Sequence, residues 1–70
     1  MRILIVVEET GTGYSAYSPD VPGCAATGQT RGEVESTMKE AISLHLGALR
    51  ENGENVPPPR SYATYVEVAA

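Results

Sequence analysis

Few residues in this 70-residue chain could carry out covalent chemistry, and the clearest candidates are its single cysteine, Cys24, and its single histidine, His45. A cysteine is a nucleophile only as a thiolate, so it needs a base or a cation nearby. His45 is the one candidate base, but its position falls within the apolar arc of a predicted helix. We therefore interpret Cys24 as a small buried thiol and His45 as a side chain packed at or under a sheet, and we predict no catalytic site.

The carboxylates and the cysteine also lack the spacing of a metal site. Metal-dependent nucleases hold their ions with carboxylates that project from the middle of a strand, but the first predicted strand reads ILIVV there. Glu8 and Glu9 lie at the end of that strand and point to alternate faces. One Cys and one His cannot supply the four ligands of a structural zinc. We expect no metal and no cofactor.

The motif PDVPGC, residues 19–24, is the densest cluster of turn-forming residues. The Asp20 carboxylate can accept backbone N–H groups of such a turn. Pro22 supplies the fixed φ of a turn's second position, and Gly23 the positive φ of its third. With Pro19 these residues predict a structural turn, although docking of a partner on the same rim remains an alternative.

Three short strands surround these turns. Residues 2–9 are rich in β-branched residues and apolar on both faces, residues 14–18 follow the TGTG turn, and residues 24–29 follow PDVPG. Because the connections are short, we expect an antiparallel meander.

A long helix follows, because Thr30 and Glu33 have the spacing of a capping box. We predict the helix over residues 31–51, with Gly53 as its C-terminal cap. Leu44 and Leu46 flank its apolar arc on opposite sides. After the stiff VPPPR connector, residues 61–69 alternate as a last strand.

The predicted architecture is a single α+β domain over residues 1–70 with element order β-β-β-α-β. We expect strand order 3-2-1-4, with the fourth strand parallel to the first and the helix covering one face of the sheet. The other face would stay uncovered, which indicates a homo-oligomer, a dimer or a tetramer. Candidate interface or partner-binding residues are Tyr14, Tyr17, Asp20, Leu44, Leu46, Tyr62 and Tyr65, with ordinary cross-strand packing an equal alternative for the tyrosines.

Charge and hydropathy limit the possible partners. The net charge is −4 and the sequence pI is about 4.7, whereas a nucleic-acid-binding surface needs a basic stripe. The longest aliphatic run, residues 3–7, is too short to span a membrane or to form a secretory signal. We expect a cytoplasmic protein that does not bind nucleic acid directly.

The order of these motifs resembles the N-terminal domain of the HicB-like antitoxins. The shared features are an aromatic strand, the Pro-Asp-x-Pro-Gly-Cys turn, a glycine, a Thr that opens the helix with Glu three residues on, and an aliphatic helix ending in Leu. The matching residues are Tyr14, Tyr17, Pro19, Asp20, Pro22, Gly23, Cys24, Gly28, Thr30, Glu33, Ala41, Ile42 and Leu49. The first strand and the VPPPRS segment extend the resemblance over most of the chain.

The resemblance implies a partial ribonuclease-H-like fold and a non-enzymatic antitoxin that neutralises a small basic mRNA-cleaving toxin. Many members of the family also carry a C-terminal DNA-binding domain, whereas this sequence ends at Ala70, directly after the predicted fourth strand. The glutamates of the predicted helix would form a solvated face that also steers a basic toxin. The alternative is a stand-alone homo-oligomer with a regulatory or scaffolding role and no toxin.

Overall fold

A computed structural model describes all residues, 1–70. It contains three strands and one helix: β1 (Val6–Thr10), β2 (Gly13–Tyr17), β3 (Ala25–Gly28) and α1 (Arg31–Glu51). The strands form one antiparallel sheet in the order β1-β2-β3. The predicted meander and helix are thus confirmed, and the fold class is α+β.

Strand β1 is shorter than predicted at its N-terminal end. Residues 2–5, here called the N-terminal segment, are not part of the sheet. In the β1–β2 register Val6 pairs with Tyr17, so Leu4 would lie opposite Pro19, which has no N–H to donate. The Ser18 hydroxyl instead donates to the Leu4 carbonyl at 2.9 Å. Strand β2 therefore ends at Tyr17, opposite Val6, and residues 2–5 have no strand partner.

The predicted fourth strand is not formed, so the predicted strand order 3-2-1-4 is corrected to a three-stranded sheet. Residues 62–68, here called the C-terminal segment, are exposed and make no backbone hydrogen bond within the chain. Their β-branched and aromatic side chains are the reason for the strand prediction, because such residues favour strands. A strand also needs hydrogen bonds to a neighbouring strand, and residues 62–68 pair with none.

Helix α1 begins and ends where the sequence predicts. The Thr30 side chain accepts a hydrogen bond from the Glu33 backbone N–H at 3.1 Å, which satisfies one of the free donors of the first turn. At the other end the N–H of Asn52 bonds the Ala48 carbonyl, and Gly53 adopts a φ of 71°. That left-handed conformation is the usual glycine-ended helix stop.

The core lies between α1 and one face of the sheet. Its helix side is formed by four residues at intervals of four, Val34, Met38, Ile42 and Leu46. The sheet and its connections contribute Ala16, Val21 and Cys24. Leu46 was predicted to flank the apolar arc, but it is only 7% exposed and belongs to the core. The correction arises because the buried stripe follows the i, i+4 row from Val34 to Leu46.

Gly28 lets the helix approach the sheet closely. A Cβ at this position would lie 2.8 Å from the Val34 backbone nitrogen, which is closer than such atoms can come without displacement. The first turn of α1 therefore packs directly against the end of β3.

Candidate functional site

The turn between β2 and β3 has a hydrogen bond of its own and is joined by two others to a distant part of the chain. The Cys24 N–H donates to the Val21 carbonyl at 3.3 Å, and Gly23 has a φ of 87°. These values describe a type II turn with Pro22 and Gly23 at its centre. The turn inserts Val21, which is completely buried, into the core. Sequence reasoning missed Val21 because neighbouring prolines marked the segment as a surface loop.

Asp20 does not bond its own turn. One of its carboxylate oxygens accepts the Ser61 backbone N–H at 3.0 Å, and the other accepts the Ser61 hydroxyl at 2.9 Å. These two bonds, chiefly the one from the Ser61 backbone N–H, hold the pKa of Asp20 below its ordinary value, and partial desolvation opposes the shift. The predicted local Asx turn is corrected: Asp20 attaches the residue just before the C-terminal segment to the β2–β3 turn.

Cys24 and His45 lie in different environments. Cys24 is a buried free thiol in the core, and His45 is half-buried on α1. No group of three or more His, Cys, Asp or Glu side chains could hold a metal ion.

The four tyrosines occupy different surfaces and do not form one patch. Tyr14 and Tyr17 are three residues apart on β2 and therefore point to opposite faces of the sheet. Tyr14 packs against the core, and Tyr17 lies half-exposed on the face away from α1. Tyr62 and Tyr65 belong to the C-terminal segment and are 83% and 97% exposed.

Leu44 lies on the outer face of α1 and is 71% exposed. Glu33, Glu40, Leu44 and Glu51 follow one another at intervals of seven, four and seven residues, so they form one stripe along the helix. This stripe, here called the acidic stripe, faces away from the buried row of α1. All three glutamates are exposed. Leu44 has Glu40 one turn before it and Glu51 two turns after it. An exposed apolar side chain in line with carboxylates is an arrangement suited to contact with a basic protein surface.

Helix α1 is not long and apolar enough to cross a membrane.

Comparison with known proteins gives a consistent result. A family model described as the HicB-like antitoxin of bacterial toxin-antitoxin systems matches residues 2–69. An uncharacterised 14.9 kDa protein of Haemophilus phage HP1 is 37% identical over 62 residues, which are 89% of this chain and 47% of the phage protein. A UPF0150 protein of Helicobacter pylori is 41% identical over 49 residues, which are 70% of this chain and 68% of that protein. The chain thus spans about half the length of its phage relative.

Two solved structures have a similar fold. One, described as a HicA3 and HicB3 toxin-antitoxin complex, contains a chain that is 31% identical, with a TM-score of 0.64 over 83% of this chain and 72% of that chain. The other, the antitoxin HicB3, is 33% identical, with a TM-score of 0.66 over 79% of this chain and 40% of that chain. Because the family model matches almost the whole length and the similar structures carry the same name, the chain belongs to the HicB-like antitoxin family.

Proposed function

We propose that this protein is an antitoxin that binds and neutralises a small basic mRNA-cleaving toxin. The observation that carries the proposal is the similarity to a chain solved in a toxin-antitoxin complex, at 31% identity over 83% of this chain. The proposed mechanism is masking of the toxin by binding, without catalysis, in the cytoplasm. The arrangement of Cys24 and His45 agrees with this, because a thiol buried in the core cannot meet a substrate.

The acidic stripe is the proposed docking surface for the toxin. Its carboxylates would attract a basic partner and speed the encounter. Leu44 would then supply the apolar contact at the centre of the interface, where binding energy concentrates. The net charge of −4 acts in the same direction.

The test is co-expression of the chain with the product of a neighbouring small reading frame that encodes a basic protein. We expect the two proteins to purify together and the antitoxin to restore growth. The proposal would be contradicted if the chain purified without the basic protein and growth stayed arrested although the chain was expressed.

A matched pair of charge reversals locates the docking surface. Glu40→Lys lies within the acidic stripe, whereas Glu8→Lys makes the same change of charge on β1. We expect Glu40→Lys to weaken toxin binding by about tenfold or more, and Glu8→Lys by only about two- to threefold through the net charge. Equal effects of the two variants would show that only the overall charge matters.

The second candidate function is a stand-alone homo-oligomer with a regulatory or scaffolding role. It is favoured by one observation, the large exposure of the apolar side chains of the C-terminal segment. The two candidates share self-association, because an oligomeric antitoxin would still bind toxin. They differ in whether the co-expressed basic protein is captured.

A further inference from the structure

We propose that the C-terminal segment forms the missing fourth strand on the β1 edge of a second copy of this chain, in a reciprocal exchange. The proposal is independent of whether a toxin exists. It concerns a surface and an occupant: the surface is the free side of β1 with the N-terminal segment, and the occupant is residues 62–68 of the other copy.

The C-terminal segment has the composition of a strand without the pairing of one. Its sequence, YATYVEV, is rich in aromatic and β-branched residues and contains neither glycine nor proline, which favours strand formation. Tyr62, Tyr65, Val66 and Val68 are between 76% and 97% exposed. An exposed, apolar, hydrogen-bond-free stretch of this kind is a template for pairing with another chain.

The β1 edge offers the matching unpaired backbone. In the order β1-β2-β3, β1 has a neighbour on one side only. The N-terminal segment that precedes it makes no backbone–backbone hydrogen bond, yet Ile3 and Ile5 pack against the core. Each copy therefore carries one open edge and one unpaired strand, and a two-fold exchange satisfies both.

The connector VPPPR, residues 56–60, leads to a fixed point, Ser61, beside the N-terminal segment. Ser61 is fixed to Asp20 by two hydrogen bonds, and residues 61–63 share a cleft with residues 2–5. The preceding prolines, residues 57–59, favour a stiff extended conformation. The C-terminal segment consequently starts beside the N-terminal segment, which precedes β1. Two copies can therefore exchange C-terminal segments when their β1 edges meet at the two-fold axis.

The shape of the molecule agrees with a projecting segment. The radius of gyration is 14.0 Å, whereas a compact chain of this length has about 11 Å. The longest dimension is 49 Å, which exceeds the length of α1, about 32 Å for a helix of its size.

Charge favours a second copy over a basic partner as the occupant. Glu67 is the only charged side chain between Ser61 and Ala69. A basic protein would therefore find little electrostatic attraction on this segment, unlike on the acidic stripe. Because the segment is nearly neutral, its addition to a second acidic chain meets little repulsion.

Light scattering of the purified chain gives the first test. We expect a dimer of twice the 7.4 kDa chain mass at micromolar concentration, with dissociation on dilution. A monomer at all concentrations up to about 100 µM, a range in which weak exchange still populates dimers, would overturn the proposal.

A proline pair at adjacent positions tests strand pairing directly. In an added strand, alternate N–H groups face the neighbouring strand, and proline is tolerated where they face solvent. Of Tyr65→Pro and Val66→Pro, we expect one to raise the dimer dissociation constant by about tenfold or more and the other to raise it much less. Val66→Thr keeps the N–H and the β-branched shape, so it should remain dimeric.

Both prolines fall in an exposed segment without intrachain backbone hydrogen bonds, so the helical circular dichroism of the monomer should not change. A dimer that is insensitive to both prolines would overturn the exchange. So would a dimer that dissociates on Leu44→Glu but on neither proline, because its interface would then be the outer face of α1.

Discussion

At the scale of single residues, Asp20 shows how far local sequence reasoning extends. The PDVPGC motif predicts a turn, and the turn is found at Val21–Cys24. The partner of the Asp20 carboxylate could not be predicted, because Ser61 lies 41 residues further along the chain. Local patterns identify which residues can accept hydrogen bonds, but only the fold decides which donors reach them.

The pairing of Asp20 with Ser61 predicts an acid-sensitive attachment. A carboxyl whose pKa is depressed in the folded state stabilises that state above its ordinary pKa, about 3.9, and loses the effect as the pH falls through the folded pKa. We therefore expect the NMR signal of the Ser61 amide to move toward its random-coil position below about pH 4.

Asp20→Ala provides the control for this titration. The variant should show the detached Ser61 signal at neutral pH, while core signals such as those of Met38 stay in place. A Ser61 amide with the same position and pH dependence in both proteins would contradict the role given to Asp20.

Glycine substitutions test the close contact between β3 and α1. Gly28→Ala places a methyl group 2.8 Å from the Val34 nitrogen and should destabilise the protein by about 1–3 kcal/mol. Gly47→Ala, in the helix with nothing within 4 Å of its added methyl group, should stabilise it by up to about 1 kcal/mol. Urea denaturation measures both, and equal effects would contradict the close approach at Gly28.

At the scale of elements, the helix was the most predictable feature because its signals are local. Thr30, Glu33 and Gly53 mark its ends through neighbouring backbone groups. Which leucine faces the core depends on the position of the sheet, and this is why Leu46 was misplaced. The strands were less predictable. Strand β1 begins only at Val6, because its partner β2 ends at the opposite residue, Tyr17.

The two leucines give a prediction for the helix. Leu46 is 7% exposed and Leu44 is 71% exposed, although they are two residues apart. Leu46→Ala should cost about 2–5 kcal/mol of unfolding free energy, a large fraction of the stability of so small a domain. Leu44→Ala should change it by less than about 0.5 kcal/mol. Thermal and urea unfolding measure the difference, and similar losses would contradict the assigned helix orientation.

At the scale of the whole molecule, a single chain exposes apolar side chains in two places. The C-terminal segment has no strand partner, and the acidic stripe presents Leu44 to solvent. The sequence predicted self-association through the face of the sheet that the helix does not cover. In the structure that face carries the half-exposed Tyr17 among smaller residues such as Ser15 and Thr27, and further exposed apolar side chains lie beyond Ser61. The two proposals therefore place a second copy and a basic partner on different surfaces.

The most direct test of the proposed function is an RNA-cleavage assay with the partner that the proposal requires, a small basic protein from a reading frame next to that of this chain. We predict that this protein cleaves mRNA alone and that a stoichiometric amount of the chain abolishes cleavage, with Glu40→Lys requiring a clear excess. Undiminished cleavage at a saturating concentration of the chain would contradict its role as an antitoxin.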